Sequence, residues 1–156
     1  MLKGGLIKES SSGYRSPVQI VMKPNNTIRM TVDYKTLNAI TVNDTFPLPN
    51  IHDMLSQLAT ARIFSKLDLS HGYFQIKMDP KSRKYTAFGC ARGLFEYLML
   101  PIGLTNRGQT FSRLMLEVLK GYIGKFCYVI LIFSSLPEEH EKHVIMVLER
   151  MNEYNK

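Results

Sequence analysis

The chain has little cysteine, no long apolar run and no internal repeat, and each lack narrows what it is. Cys90 and Cys127 are the only cysteines among 156 residues. They form no CxxC pattern, and two are too few for a disulfide framework, so a reducing compartment fits best. The longest apolar run, residues 126–133, is far too short to cross a bilayer, and no membrane partner is expected. The opening MLKGGLIKESSSG lacks the apolar centre of a signal peptide. An intracellular setting, cytoplasmic or nuclear, is the expectation. Without a repeat or a low-complexity segment, the chain reads as neither a solenoid nor a disordered tail.

What is present is ordinary in amount and unusual in sign. Hydrophobic residues make up 45% and charged residues 21%, which is globular composition, and the length suits one domain with a real core. The net charge is +7, and the pI is about 9.5. That balance favours a polyanionic partner, against the plainer alternative of a generally basic surface.

Gly4 to Ser16 is rich in Gly and Ser and reads as an exposed lead-in. Val18, Ile20 and Met22 alternate, as do Ile28, Met30 and Val32, across the turn signal Pro24-Asn25-Asn26-Thr27. This predicts a hairpin with Lys23 and Arg29 near its tip, able to reach over an anion. The alternative is cationic residues that only keep a sheet edge soluble. Residues 33–45 are polar and mixed. Phe46-Pro47-Leu48-Pro49 reads as extended, and Asn50 as the cap of a helix carrying Asp53, Ile51, Met54, Leu55 and Leu58, taken as core scaffold.

FSKLDLSHGYFQIKM, residues 64–78, is the stretch around which the rest is organised. On a two-residue period Leu67 and Leu69 share one side and Asp68 takes the other, a lone carboxylate presented between two leucines. The alternative is a solvated residue on a half-buried strand. Phe74 to Met78, Tyr85 to Cys90 and Leu94 to Leu100 read as further strands, the last two joined by Ala91-Arg92-Gly93. Gln109 to Tyr122 carries a helical stripe of Phe111, Leu114, Met115, Val118, Leu119 and Tyr122, closed by Gly121 and Gly124. Residues 126–134 are strongly β-forming. Pro137 opens a last helix, with Glu138 and Glu139 in its first turn, Leu136 at the cap, and Val144, Val147, Leu148 and Met151 inward. His140 and His143 lie one turn apart; without a third ligand they read as a solvated helix face. The expected fold is α+β, a largely antiparallel sheet with helices on one face.

With these pieces placed, the sequence resembles the reverse transcriptase of gypsy-type LTR retrotransposons. The matching stretches stand in the family's order: SGYRSPVQIVMKP, IRMTVDYKTLN, FPLPNIHDMLSQL, FSKLDLSHGYFQI, YTAFGCARGLFEYLMLPIGLTN, FSRLM and ILIFSSLPEEHEKHV. The resemblance implies the polymerase right hand in a single domain. Fingers would be about 1–46 and part of 77–97, palm about 47–76 and 98–156, with thumb, RNase H and integrase outside this stretch. It implies templated DNA synthesis from dNTPs on an RNA/DNA primer-template with Mg2+. Asp68 matches the first catalytic, metal-binding aspartate and the Leu69 carbonyl a backbone metal ligand. Tyr73 matches the residue that excludes a 2′-hydroxyl. Arg29 matches a triphosphate contact, Lys23 lies near a matching lysine, and Gly103 belongs to the loop beside nucleotide and template.

The resemblance also exposes a gap. The family pattern carries Tyr-x-Asp-Asp before Ile-Leu-Ile-Phe-Ser, whereas this chain reads KFCYVILIFSS, with both flanks intact and four residues absent between Val129 and Ile130. No aspartate follows Asp79, and no Asp-Asp pair exists. Two metal ions need several hard oxygen ligands, so Asp68 alone cannot hold them. At roughly 3–4 kcal/mol per lost ligand, the deficit is on the order of 10⁴–10⁶-fold in rate, and that is a floor. A chain without polymerase activity is expected; the alternatives are a non-catalytic nucleic-acid binder, a functionless relic, and an active polymerase from whose sequence four residues dropped. Residues 126–133 are expected either to run on as one strand with an unpaired edge or to turn on themselves. Arg107-Gly108 stands where the family has Ala-Pro, Ile102 where an aromatic is common, and Lys35 where Arg is common.

Overall fold

A computed structural model describes the chain except Lys23, Asn25, Thr60 and residues 48–50, 70–71, 129–130 and 155–156, and the side chains of Arg29, Ile51, Asp53, Met54, Gln57 and Tyr128. The readings on Lys23 and Asn50, and on the side chains of Arg29, Ile51, Asp53 and Met54, therefore lie outside the described residues. The chain divides into two compact units, residues 1–44 with 71–108, and residues 45–70 with 109–156.

In the first unit β1 (Ile7–Glu9), β5 (Phe88–Cys90) and β6 (Gly93–Tyr97) form an antiparallel sheet ordered β1-β6-β5, and β2 (Val18–Met22) pairs with β3 (Ile28–Val32) as a hairpin. Gly93, at φ 126°, closes the tight β5–β6 turn, a conformation that favours glycine. Six buried residues make the core: Ile7, Val32, Tyr34, Phe88, Phe95 and Tyr97. The Tyr34 hydroxyl donates to the Thr86 carbonyl at 2.9 Å, and the Tyr97 amide donates to Thr86 Oγ1 at 2.9 Å. Thus the buried polar atoms are satisfied. Burial drives the Tyr34 phenol far above its ordinary range, with Tyr97 adding to the effect.

Four sequence expectations change here. The lead-in is not wholly exposed: Ile7 is buried because β1 covers the edge of β6. Residues 33–45 contain a helix, α1 (Lys35–Ile40). Residues 74–78 are not a strand. Gly72–Gln75 is a 3-10 turn, and the following residues reach 98–100 through only two backbone bonds, Met78 N to Leu98 O and Leu100 N to Ile76 O. Likewise Arg83–Thr86 is a 3-10 turn, closed by Thr86 Oγ1 donating to the Arg83 carbonyl at 2.7 Å, so the strand begins only at Phe88.

In the second unit β4 (Ile63–Lys66), β7 (Cys127–Tyr128) and β8 (Leu131–Ser134) form an antiparallel sheet ordered β4-β8-β7. Helices α2 (Ile51–Leu58), α3 (Arg107–Val118) and α4 (Pro137–Tyr154) accompany it, α3 crossing between the units at residue 108. Met115, Val118, Leu119, Cys127, Ile132 and Val147 form the core, so α3 and α4 pack on the sheet face that carries Cys127 and Ile132. On α4 the inward stripe is His140, Val144, Val147 and Met151, spaced 4, 3 and 4 residues apart as helical geometry requires. Leu148 falls off that stripe and is 49% exposed, as is Leu55 of α2 at 58%; both were expected inside. Among the described residues no helix is long and apolar enough to cross a membrane.

Candidate catalytic and nucleic-acid site

Residues 63–69 alternate half-buried and exposed without a break. Leu67 and Leu69 pack against the second core, and Asp68 is exposed between them, although regular pairing ends at Lys66, opposite Leu131. The local pattern therefore presents the carboxylate as the alternation requires.

The hairpin beside it settles how the chain accommodates its gap. Cys127 pairs with Ile132 and Tyr128 with Leu131, so the two strands are joined across residues 129–130. The Phe133 amide adds a bond to the Phe126 carbonyl at 2.9 Å. The straight-strand expectation is overturned. Turning buries Cys127 and Ile132 against the helices and pairs both edges of β8, which a continuous strand could not do. Cys127 and Ile132, paired with each other, both lie on the core side of the sheet.

What the hairpin lacks is charge. Beyond residue 108 the only acids are Glu117, Glu138, Glu139, Glu141, Glu149 and Glu153, all on α3 and α4. Among the described residues no group of three or more His, Cys, Asp or Glu could hold a metal ion. Among the described residues the donor set does not fit a pair of Mg2+ ions.

Asp68 and Leu69 lie in the second unit; Arg29, Tyr73 and Gly103 lie in the first. Arg29 sits on β3 opposite Val21. Tyr73 is half-buried in the 3-10 turn, with the Arg107 guanidinium 4.7 Å from its ring centroid. Gly103 has φ 109°, and a Cβ there would stand 3.3 Å from Tyr34 Cδ2 and 3.5 Å from the Val32 carbonyl. Asn38 of α1 clamps this loop: its Nδ2 donates to the Gly103 carbonyl at 2.8 Å, and its Oδ1 accepts from the Thr105 amide at 3.0 Å. Asn106 does the same downstream, donating to the Val42 carbonyl and accepting from the Asp44 amide. Sequence reading missed both asparagines, since nothing local distinguishes a clamp from a loop amide.

It also missed a serine-histidine chain in the second unit. Ser65 Oγ lies 2.8 Å from His140 Nε2, and Ser134 Oγ lies 3.0 Å from His140 Nδ1 and 2.7 Å from His143 Nδ1. His143 stacks on Phe126 with centroids 3.9 Å apart. Burial holds the His143 imidazole below its ordinary pKa, Glu139 pulls it back up, and His140 lowers it again. His140 is thus a buried, partnered residue rather than part of a solvated face, and its place on the α4 stripe was the available signal.

A family model described as reverse transcriptase (RNA-dependent DNA polymerase) matches residues 21–156. Over 99% of its length the chain is 40% identical to the Pol polyprotein of transposon opus and 36% identical to that of transposon gypsy, both from Drosophila melanogaster. It spans 16% of each of those relatives. The opus match runs over 164 residues, more than the 156 here, so the relative carries residues that this chain lacks. A foamy viral protease-reverse transcriptase, solved in complex with RNA/DNA hybrid, superposes with a TM-score of 0.84 at 26% identity, covering 97% of this chain and 21% of that one.

Proposed function

Because the chain belongs to the reverse transcriptase (RNA-dependent DNA polymerase) family, we propose that it is the fingers-and-palm portion of a retroelement polyprotein that engages primer-template without extending it. The observation that carries this reading is the Tyr128–Leu131 register, which closes the palm hairpin on two residues that bear no carboxylate. The first unit takes the role of fingers and adjoining palm, and the second unit that of the palm core. Arg29 and Lys23 meet phosphate, Tyr73 packs under the sugar, and Gly103 lets the loop approach nucleotide and template. Cations neutralise phosphate whether or not chemistry follows, so a net charge of +7 supports binding on its own. The foamy viral relative's RNA/DNA complex supports the same class of ligand.

Labelled primer-template tests both halves. Anisotropy across a salt series should show binding that weakens steeply with ionic strength, and extension with dNTPs and Mg2+ or Mn2+ should show no added nucleotide. Extension abolished by Asp68→Asn would overturn the inactive reading; absence of any binding would overturn the binding reading. One observation favours a second reading, an active polymerase with its four residues restored: both flanks of the gap keep the family's sequence. Sequencing the transcript across codons 125–135 decides that point.

A further inference from the structure

We propose that the edge of the first unit built from Tyr14, Lys84 and Tyr85, flanked by Arg15, is a stacking platform for single-stranded nucleic acid. It rests on the nucleic-acid reading above and uses residues other than Asp68, Tyr73 and Gly103. Tyr14 and Tyr85 are 49% and 37% exposed, large for tyrosines that also touch each other. Their rings meet edge to face, centroids 4.9 Å apart, and Lys84 Nζ lies 5.1 Å from the Tyr85 centroid. An exposed aromatic pair carrying a cation is the arrangement that receives an unpaired base and its phosphate together.

The platform is held in shape by its backbone. Ser12 Oγ donates to the Lys84 carbonyl at 2.7 Å and accepts from the Tyr14 amide at 3.0 Å, and the Ser12 amide donates to Ser10 Oγ at 3.1 Å. Ser16 then bridges to Phe88 in parallel, its amide 2.8 Å from the Ala87 carbonyl. Arg15 lies directly on Gly89: a Cβ at that glycine would fall 2.3 Å from Arg15 Nε. Glycine on β5 is therefore what lets the guanidinium rest on the sheet. A surface fixed before binding loses less entropy when a ligand arrives. The local charge agrees in sign: residues 77–92 carry Lys77, Lys81, Arg83, Lys84 and Arg92 against Asp79 alone. Asp79 is itself occupied, accepting from the Ser82 amide and hydroxyl.

The test uses the full 156-residue chain and three labelled probes: an oligothymidylate, a blunt duplex, and the same duplex with a single-stranded template overhang. The wild-type chain should bind the overhang probe more tightly than the blunt one. Tyr85→Ala should weaken the single-strand and overhang probes about tenfold and leave the blunt duplex unchanged, while Tyr85→Phe keeps the affinity because the ring is retained. Lys84→Gln should lower the salt slope on the single strand by about 0.7. Equal binding of overhang and blunt probes, an unchanged Tyr85→Ala, or displacement by polyglutamate as readily as by oligothymidylate would overturn the platform while leaving nucleic-acid binding intact. Failure of the wild-type chain to bind any probe would overturn both. Should Tyr85→Ala misfold by circular dichroism, the Phe and Lys84→Gln variants carry the decision.

Discussion

Tyr128 stands opposite Leu131, the last pair of the β7–β8 ladder, with two residues between them. No acid lies in residues 127–134, and the ladder keeps Cys127 and Ile132 in the core. On the function proposed above, the packing that supports the site is kept without the paired carboxylates that would bind metal.

Ser134 serves two imidazoles, and its removal should be costly. Ser134→Ala leaves His140 Nδ1 and His143 Nδ1 without their partner, so a loss of about 1–3 kcal/mol is expected in urea unfolding. Ser65→Ala, which leaves only His140 Nε2 unpartnered, should lose less.

The same cluster sets a pH dependence. His143 has a folded pKa below the ordinary 6.5. Between those two values the unfolded chain binds more protons than the folded one, so stability rises with pH there. Its contribution is complete above 6.5 and falls as pH drops through the lowered value. Urea midpoints measured from neutral to mildly acidic pH should fall accordingly, and His143→Gln should flatten part of the slope.

Glu96 acts in a lower range. Burial raises its pKa, but hydrogen bonds from Ser10 and Lys8, with the charges of Lys8 and Arg83, outweigh burial and hold it below 4.5. The stabilisation is present above 4.5 and lost as pH falls through the folded value. Ser10→Ala, which removes a 2.6 Å bond, should cost about 1 kcal/mol, and Lys8→Ala less, because Lys8 is half exposed. Acid unfolding followed by circular dichroism checks both.

Two glycines should respond in opposite directions to alanine. At Gly103, φ 109° and the close Tyr34 ring predict a loss of about 1–3 kcal/mol. At Gly108, inside α3, a Cβ meets nothing within 4 Å, and a gain of about 0.4–1 kcal/mol is expected. Thermal melts of the two variants make the comparison.

Periodicity located much of this molecule. The stripes of α3 and α4 and the exposure of Asp68 between Leu67 and Leu69 follow from spacing, because each element buries one face against a core. The β2–β3 hairpin pairs where its alternation predicts, yet Ile20, Met22 and Ile28 stay exposed and only Val18, Met30 and Val32 reach the core. The misses share a cause. Residues 74–78 alternate like a strand, yet Gly72 starts a turn and only two bonds reach the neighbouring chain. β1 is three residues long, too short for a pattern, and exists because β6 offers an edge. Asn38, Asn106 and Ser134 act on partners distant in sequence or on two partners at once, which no local signal encodes. That no aspartate follows Asp79 is legible in the sequence; that Cys127 and Tyr128 pair with Ile132 and Leu131 is decided by tertiary burial.

The most direct measurement is Mn2+ binding followed by electron paramagnetic resonance, with Mn2+ standing in for Mg2+. Four proteins are compared: the chain as it stands, Asp68→Asn, a variant with Tyr-Ala-Asp-Asp inserted between Val129 and Ile130, and that insertion variant carrying Asp68→Asn. A palm without paired carboxylates predicts the same weak binding in the first two and a gain in the third that Asp68→Asn abolishes. Tight, Asp68-dependent binding of two ions by the unaltered chain would contradict that and restore the two-metal mechanism.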